Sequence, residues 1–376
     1  MHTEHFETVI IGAGQAGLAT GYHLKEKGRS FVILDAERRV GDGWRHQWDS
    51  LRLFTPAWAD GLPGTPFPKP AWEMPTKDEF ADYLESYAAE HRLPVRLGTR
   101  VAGLTASPAG AGEGGYVLVT DRGRIQADNV VIATGTFGRS PLIPGFADQL
   151  DPSIVQLHSS EYRRPDDLPP GPVLVVGASH SGCDISYELA QTHPTILAGR
   201  DTGQIPVPFS SPLLKVVFPV LLFCFGHVLS RRTPLGRKQM DHFRFNGGPR
   251  LRVQAQDLAD RGVDWVRERV TGVQGGRPVV GGRGAIDVRT VVWCTGFRQQ
   301  FDWVDLDVFD ERGWPRELGG VVDDAPGLYF AGLGFQSSAR SMLIHGAGHD
   351  AGHVARQIVG RARMGRQARH PHPAAA

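Results

Sequence analysis

Two glycine-rich motifs, 165 residues apart, constrain this 376-residue chain more than any other feature. The first reads Gly-Ala-Gly-Gln-Ala-Gly over residues 12–17 and follows the apolar run Thr8–Ile11. The second reads Gly-Ala-Ser-His-Ser-Gly over residues 177–182 and follows the apolar run Val173–Val176. A glycine turn between a strand and a helix binds the pyrophosphate of a dinucleotide. Two such turns predict two dinucleotide-binding units, with electron transfer between their ligands.

The first motif has every feature of a tight dinucleotide site. Gly12 permits a sharp turn, Gly14 lets a pyrophosphate approach the backbone, and Gly17 allows the helix to pack closely on the strand. The N-terminus of the helix that follows offers free N–H groups and a positive dipole end. Asp35 lies 23 residues after Gly12, at the end of the next predicted strand, where a carboxylate accepts hydrogen bonds from ribose hydroxyls.

The second motif differs at its middle position and at the end of the next strand. Ser179 replaces the middle glycine, but a serine still permits close approach and can bond a phosphate. Arg200 stands where the first unit has an acid, and a guanidinium can bind a 2′-phosphate through two hydrogen bonds. The motif therefore predicts NADPH rather than NADH, although Arg200 could also be a solvated surface charge. His180 is predicted to lie near the phosphate or ribose, without metal-ligand spacing around it.

Three further glycine turns are predicted to lie beside the two nucleotides. Residues 41–45 (Gly-Asp-Gly-Trp-Arg) could form a wall facing the first cofactor or an ordinary packed tryptophan loop. Residues 133–135 (Ala-Thr-Gly) and 294–296 (Cys-Thr-Gly) each end a predicted strand in a similar turn. Their recurrence predicts that the chain crosses between the units beside each nucleotide.

Composition excludes several functions. The three cysteines, Cys183, Cys224 and Cys294, form no Cys-x-x-C pair, so the sequence encodes neither a redox dithiol nor a zinc cluster, and no metal site is predicted. The net charge of +1 gives no reason to expect a nucleic acid partner. The 41% apolar content fits a globular enzyme of roughly two or three domains. No signal-peptide pattern precedes the first strand, so a cytoplasmic location is predicted.

The segments outside the nucleotide patterns are apolar and rich in proline. Residues 53–75 and 204–250 are predicted to line a substrate pocket, which favours a hydrophobic or aromatic substrate. Within them, the stretch Pro212–Leu229 is the most apolar in the chain, yet shorter than the roughly 20 residues that a membrane span needs. It is predicted to be a buried helix or a pocket wall, and the alternative is a peripheral helix that contacts a membrane surface.

Together these motifs resemble the class B flavin-dependent monooxygenases, which include flavin-containing, Baeyer–Villiger, N-hydroxylating and YUCCA-type enzymes. The resemblance runs from about residue 6 to residue 360 and includes the ending Gly327–Gly332 followed by Met342–Ile344. The identifying segment of the group survives here only as His158–Tyr162, with Pro152 and Ile154 in place of its Phe and Gly.

The resemblance implies an α/β fold with two Rossmann-like domains, in which the NADPH domain is inserted in the FAD domain. The predicted FAD domain comprises residues 1–148 and 295–376, and the NADPH domain comprises residues 149–294 with a substrate-pocket insertion at about 204–260. The implied reaction uses NADPH to reduce FAD, forms a C4a-(hydro)peroxyflavin with O2, and transfers one oxygen atom to a small organic substrate.

The residues predicted to act at the cofactors fall in the motifs above. Those predicted to contact the flavin ring or substrate are Arg45, Gln336 and Ser337. Those predicted to bind FAD or NADPH are Gly12, Gly14, Gln15, Ala16, Gly17, Asp35, Gly43, Trp44, Arg45, Ala133, Thr134, Gly135, Gly177, Ser179, His180, Ser181, Gly182, Arg200, Thr295, Gly296 and Leu343.

Two other functions stay open at this point. One is an NAD(P)H:acceptor oxidoreductase that passes electrons to a quinone or a protein, which a membrane-touching Pro212–Leu229 would favour. The other is a non-catalytic dinucleotide-binding protein that senses redox state, since a fold alone does not establish a function.

Overall fold

The computed structural model describes residues 3–108, 115–135, 140–205, 207–209 and 211–369, with side chains described as far as Arg363. The helices are α1 (Gln15–Glu26), α2 (Asp42–Arg45), α3 (Lys77–Glu90), α4 (His180–Leu189), α5 (Leu214–Phe223), α6 (Pro234–Phe245), α7 (Ala255–Asp260) and α8 (Ile344–Arg369). A π-helical turn, Cys224–Val228, continues α5, and short 3-10 turns span Ala57–Ala59, Ala147–Gln149, Pro165–Asp167 and Ala339–Met342.

The strands follow in chain order. They are β1 (Glu4–Ile11), β2 (Val32–Leu34), β3 (Val95–Arg96), β4 (Val101–Ala106), β5 (Tyr116–Thr120), β6 (Gly123–Ile132), β7 (Ser140–Pro141), β8 (Val155–His158), β9 (Val173–Val176), β10 (Thr195–Ala198), β11 (Asp264–Val266), β12 (Val270–Gln274), β13 (Arg277–Val280), β14 (Gly284–Ala285), β15 (Thr290–Trp293), β16 (Phe297–Arg298), β17 (Val304–Asp305) and β18 (Leu328–Phe330).

Within the described residues, eight strands form the first sheet, in the order β17-β4-β5-β6-β1-β2-β3, with β18 also paired to β6. β1 runs parallel to both β2 and β6, so the carboxyl ends of these three strands lie at one edge. That edge carries Gly12, Asp35 and Ala133, which each follow one of the three strands directly. Parallel strands therefore bring three separate sequence motifs to one place.

The second sheet, over the part of the chain that is described, has five strands in the order β11-β10-β9-β15-β8, and every pairing is parallel. Each of these strands lies between β6 and β17 in the chain, so this unit is inserted in the first one. Buried side chains such as Val173, Val175, Leu197 and Val292 fill one face of the sheet. The predicted α/β fold with an inserted second unit is confirmed, whereas the predicted domain boundaries stay a prediction.

The helices that flank the first sheet have local sequence causes. The Thr76 hydroxyl accepts the N–H of Glu79 and the Glu79 carboxylate accepts the N–H of Thr76, a reciprocal cap that starts α3. Phe80, Leu84 and Tyr87 recur at helical spacing and are buried in the core below it. α8 packs along α1, and among the described residues no helix is both long and apolar enough to cross a membrane.

One helix boundary was predicted wrongly. The sequence predicts that the last helix ends near Val359 and that a frayed tail begins at Arg361, but α8 continues to Arg369. The guanidinium of Arg361 bonds the carbonyl oxygen of Asp128 and the side-chain oxygen of Asn129, which holds the helix against the first sheet. The His/Pro/Ala-rich tail beyond it, residues 370–376, lies outside the described residues.

Candidate functional site

The first glycine motif turns from β1 into α1 and leaves a space above its middle glycine. Gly12 has a φ of +109°, and a Cβ there would lie 2.5 Å from the carbonyl oxygen of Ala133. A Cβ on Gly17 would lie 1.9 Å from the carbonyl oxygen of Gly12, so both positions require glycine. Around Gly14, by contrast, no described protein atom lies within 4 Å of such a Cβ. The open space at the start of α1 fits a pyrophosphate.

Asp35 lies beside this turn, as predicted for a ribose-binding acid. Its carboxylate accepts the backbone N–H of Ala13 at 2.5 Å and that of Glu37 at 2.8 Å. These two bonds fix the orientation of the carboxylate next to the glycine turn. A carboxylate oxygen has more than one acceptor site, so Asp35 can still accept bonds from ribose hydroxyls. The first unit therefore provides the donors and acceptors that a dinucleotide needs.

The structure joins Trp44 to Gln15, two residues predicted to bind the first cofactor. The indole Nε1 of Trp44 donates to Gln15 Oε1 at 3.4 Å, and the indole meets Phe80 edge to face. Gly43, inside α2, has no described atom within 4 Å of a Cβ. The indole thus packs on α3 while its polar edge reaches the start of α1, and a wall facing the first cofactor stays a prediction.

The side chain of Arg45 forms hydrogen bonds with three carboxylates. Its guanidinium donates to Asp42 at 3.2 Å, to Asp82 at 2.7 Å and to Glu85 at 3.1 Å, and it also bonds the carbonyl oxygen of Val40. Burial alone would lower the pKa of Arg45, but the hydrogen bonds that its guanidinium donates to Asp82 and Asp42 outweigh burial, so the pKa is raised. These contacts favour a role in holding α2 on α3 over the predicted contact with flavin or substrate.

The closing segment, Leu328–Leu343, reaches the first glycine turn from the other side. A Cβ on Gly332 would lie 2.7 Å from the Cβ of Ala16, so the segment touches the start of α1. Phe335 then adopts a φ of +54°, which is uncommon for a bulky residue. Gln336 is fully buried: its Oε1 accepts the N–H of Leu333, and its Nε2 has no hydrogen-bond partner among the described residues.

A buried ion cluster holds this strained segment in place. Glu317 accepts from Arg231 Nη1 at 2.8 Å and from Arg244 Nη2 at 2.9 Å. The same two arginines donate to the carbonyl oxygens of Gly334 and Gln336, on either side of Phe335. Burial raises the pKa of Glu317, and the two guanidiniums oppose that rise. Because these three residues are far apart in the sequence, no local pattern indicated the cluster.

Ser337 joins a second buried group, which the sequence interpretation missed. Its hydroxyl donates to Asp350 Oδ1 at 2.5 Å, and its backbone N–H donates to Ser341 Oγ at 3.0 Å. Asp350 is 2% exposed, and its other oxygen has no partner among the described residues. Burial raises the pKa of this carboxyl, while the bond from Ser337 lowers it. Leu343 ends the turn that follows and packs beside the α5 core.

The second glycine motif repeats the geometry of the first. A Cβ on Gly177 would lie 2.3 Å from the carbonyl oxygen of Cys294, and one on Gly182 would lie 1.7 Å from the carbonyl oxygen of Gly177. The turn at Cys294 therefore lies beside this motif, as the turn at Ala133 lies beside the first. The prediction that each small-Thr-Gly turn borders a nucleotide motif agrees with these contacts.

The second motif is covered by a loop of the insertion, residues 246–250, which we call the strap. Ser179 Oγ donates to the carbonyl oxygen of Gly248 at 2.9 Å. The Nε2 of His180 lies 2.6 Å from the carbonyl oxygen of Pro249, so Nε2 carries the proton. Burial lowers the pKa of His180, which keeps the ring neutral. Two carbonyl oxygens thus lie against the helix start where the first motif is open.

Arg250 fixes the end of the strap. It is 2% exposed and donates to Asp201 at 2.6 Å and to Gln204 at 3.2 Å, and its guanidinium stacks over the ring of Trp265. The neighbouring Arg200 is exposed at the end of β10 and has no ion pair among the described residues. Ser181 lies in the first turn of α4 and is partly exposed. Arg200 is therefore free to meet a ligand, while Asp201 is already paired.

The two chain crossovers meet in a short ladder. Phe297 pairs with Pro141 and Arg298 with Ser140, and the hydroxyl of Thr295 bonds the carbonyl oxygen of Leu142. Gly135 has a φ of +101°; residues 136–139, which follow it and Thr134, lie outside the described residues.

His158, from the partial family segment, anchors this crossover. Its Nε2 donates to the carbonyl oxygen of Gly296 at 3.0 Å, and its ring meets Phe297 edge to face. Burial lowers the pKa of His158, so the ring is neutral and its tautomer is set by that carbonyl. Despite the missing Phe and Gly, the surviving part of the segment holds the turn beside the second motif.

Comparison with known proteins identifies the family. Residues 9–205 match the family described as pyridine nucleotide-disulphide oxidoreductase. The chain belongs to this family. It is 36% identical to an "Uncharacterized oxidoreductase CzcO-like" of Geobacillus kaustophilus, over 94% of this chain and 98% of that protein. It is 27% identical to "Probable indole-3-pyruvate monooxygenase YUCCA9" of Arabidopsis thaliana, over 96% of this chain and 92% of that protein.

A solved structure shows the same architecture over nearly all of the chain. A flavin-containing monooxygenase from Stenotrophomonas maltophilia superposes with a TM-score of 0.73 and 26% identity, covering 96% of this chain and 100% of that one. The resemblance to class B flavin-dependent monooxygenases, predicted from the motifs, is confirmed by these relatives.

The cysteines of this oxidoreductase do not form the dithiol that the family name suggests. Cys183, Cys224 and Cys294 are all unpaired. Burial raises the pKa of Cys183 to about 12, and burial also raises the pKa of Cys294. Because only the thiolate is a nucleophile, these two buried thiols are unreactive near neutral pH.

The two predicted pocket segments meet around α5. Leu214, Phe218 and Leu222 pack against Ala59, with Trp72 and Met74 at the edge of the same apolar cluster. Residues 206 and 210 lie outside the described residues. A separate cleft of about 430 Å³, between Arg231 and Asp324, is lined mainly by charged side chains and borders neither glycine motif. The apolar cluster, rather than this cleft, fits the predicted substrate region.

One group of described residues has metal-ligating atoms close together, although no metal site was predicted. Atoms of Glu37, Asp42 and His46 lie within 4.8 Å of one another at the surface. Asp42 already accepts bonds from the backbone of Arg39 and the side chain of Arg45. We assign no metal to this group.

Proposed function

We propose that this oxidoreductase is an FAD-dependent monooxygenase that uses NADPH and O2 to oxygenate a small hydrophobic or aromatic molecule. The observation that carries the proposal is that two glycine motifs occur in a chain whose three cysteines are unpaired, with raised thiol pKa values at Cys183 and Cys294. Without a dithiol, electrons that enter from NADPH need another acceptor. The flavin monooxygenases among the relatives support O2 as that acceptor.

In this proposal each motif has one task. The turn at Gly12–Gly17 holds the FAD pyrophosphate, and the Asp35 carboxylate accepts hydrogen bonds from the ribose hydroxyls. The turn at Gly177–Gly182 receives NADPH, whose 2′-phosphate is bound by Arg200. When bound, FAD supplies the redox chemistry, and the protein orients the cofactors and excludes water. We therefore expect no acid–base pair of side chains to be needed.

The closing segment places candidates for contact with the flavin ring or substrate. Gln336 has an unpartnered buried amide among the described residues, and Ser337 is oriented by Asp350. Both follow Phe335, whose strained backbone is held by Arg231 and Arg244. Strain that is fixed by surrounding contacts is common at functional sites. We propose that this segment faces the flavin, and we retain the cytoplasmic location as a prediction.

A second candidate function is an NAD(P)H:quinone oxidoreductase. One observation favours it: α5 exposes apolar side chains, including Val216 and Phe223, which could bring the protein to quinones in a membrane. The same cofactors would serve, and only the final acceptor would differ.

The monooxygenase and the quinone oxidoreductase can be distinguished by which molecule, O2 or a quinone, accepts electrons from the reduced flavin. We would purify the protein, quantify its flavin, and measure NADPH oxidation with O2 and, anaerobically, with a soluble quinone. The proposal predicts bound FAD and oxidation that requires O2 and rises with a hydrophobic substrate. Turnover with quinone alone would support the second candidate, and a folded protein that binds no flavin would support a non-catalytic sensor.

A further inference from the structure

The α5 helix has an apolar face that no part of the described chain covers. Leu213, Val216, Val220 and Phe223 are between 57% and 68% exposed. Their spacing of three, four and three residues places them on one side of the helix. Leu214, Phe218 and Leu222 lie on the opposite side and are buried. We call the exposed set the α5 stripe.

The chain segment that contains the stripe carries only positive charges as far as Asp241 on α6, which is paired with Arg312. Residues 204–240 contain no Asp or Glu, but they contain Lys215, Arg231, Arg232, Arg237 and Lys238. Arg231 is paired with Glu317, whereas Lys215, Arg232 and Lys238 have no carboxylate partner among the described residues. On α6, Lys238 is one turn from the exposed Leu235. This arrangement of apolar and cationic side chains complements an anionic surface.

Aromatic side chains lie at the C-terminal end of α5 and beside the middle of its buried face. Phe223 stacks on His227 with ring centroids 4.4 Å apart. Trp58 is 37% exposed, and its indole meets the buried Phe218 edge to face. Aromatic rings with one polar edge are favoured at the boundary between water and lipid.

We propose that the α5 stripe and its flanking basic residues dock the protein on the surface of an anionic lipid bilayer. α5 has ten residues, about 15 Å, and therefore lies in the interface instead of spanning a core about 30 Å thick. The inner face of the helix covers the apolar cluster around Ala59. Docking would thus bring that cluster close to the layer in which hydrophobic molecules dissolve.

The test is cosedimentation of the full-length protein with vesicles of phosphatidylcholine, with or without phosphatidylglycerol. We expect binding that increases with phosphatidylglycerol and decreases as salt is raised. The triple variant V216Q/V220Q/F223Q should lower the partition coefficient at least about tenfold, because it removes most of the apolar stripe. K215Q/K238Q should reduce the preference for phosphatidylglycerol. L318Q is the matched control, because Leu318 is 65% exposed outside the stripe and should not affect binding.

Circular dichroism and thermal unfolding of each variant establish that it is folded, and light scattering gives its mass in buffer. Failure to bind either vesicle would overturn the proposal, as would binding that the triple variant leaves unchanged. A wild-type dimer that the triple variant converts to monomers would also overturn it, since a second copy would then cover the stripe. None of these readouts depends on FAD, NADPH or turnover.

Discussion

The hydroxyl of Ser179 donates a hydrogen bond to the carbonyl oxygen of Gly248 over 2.9 Å, and this contact joins the second glycine motif to the strap. The first motif has open space above Gly14, so the two motifs differ in accessibility. The carbonyl oxygens of Gly248 and Pro249 occupy the side-chain donors of Ser179 and His180, so a phosphate that uses these donors has to replace them. We infer that NADPH displaces the strap, whereas FAD meets no such barrier.

Hydrogen exchange can detect the movement of the strap. With NADPH bound, we expect faster exchange of backbone amides in residues 246–250, because the bonds from Ser179 and His180 are lost. Peptides that contain residues 177–183 should exchange more slowly in the same samples. NADH at equal saturation is the control for the 2′-phosphate. Protection of both segments would show that the strap stays closed over the nucleotide.

The variant R200A tests the predicted NADPH preference. Loss of a charge-assisted contact costs about 1.5–3 kcal/mol, so the KM for NADPH should rise roughly 10- to 150-fold while that for NADH changes little. R267A is the matched control, because Arg267 is also exposed and lies 4.0 Å from Asp201. Steady-state kinetics with both nucleotides provide the measurement. Equal effects on NADPH and NADH would remove Arg200 from the 2′-phosphate site.

The variant G14V tests the FAD site without disturbing the protein core. The space around a Gly14 Cβ is free of described protein atoms, so the variant should fold, but the valine would occupy the space that fits a pyrophosphate. We expect loss of bound flavin, measured by absorbance after purification. G360A, also without a described atom within 4 Å, is the control and should keep its flavin. Normal flavin content in folded G14V would refute the assignment.

Asp60 predicts a pH dependence of stability. Burial raises the pKa of this carboxyl to about 7, against the bond that the Thr55 hydroxyl donates to it. Because the pKa in the folded state is above that of the unfolded chain, the folded state binds the proton more tightly. Asp60 therefore contributes stability that is present at low pH and lost as the pH rises through about 7.

The variant D60N removes the titrating carboxyl and should change how the free energy of unfolding depends on pH. Between about pH 5 and about pH 8, the wild type should lose about 2–3 kcal/mol of unfolding free energy relative to D60N. Urea unfolding at both pH values measures this difference. D307N serves as control, because Asp307 is 97% exposed, and it should follow the wild type. A constant difference between D60N and wild type would contradict the prediction.

The strands around the two motifs could be predicted because their signals are local. The predicted apolar run Val173–Val176 agrees with β9 residue for residue, since a short buried strand is an apolar run ended by a turn. The requirement for glycine at Gly12 and Gly177 follows from the same local pattern.

Contacts between distant residues could not be predicted in this way. The strap meets Ser179 and His180 across 69 residues of chain, and two of the carboxylates around Arg45 belong to α3, up to 40 residues later. The sequence of the α5 segment predicts a buried helix because it is apolar throughout. Only the packing of the helix shows that one of its faces is exposed. Such features depend on tertiary packing, which a single sequence does not display.

Stopped-flow absorbance decides whether O2 is the acceptor. The purified protein is reduced with NADPH in the absence of O2 and then mixed with buffer that contains O2. We predict that reoxidation passes through a transient whose spectrum differs from those of both the reduced and the oxidised flavin. Reoxidation in a single step without such a transient, or only after a quinone is added, would contradict the proposed monooxygenase.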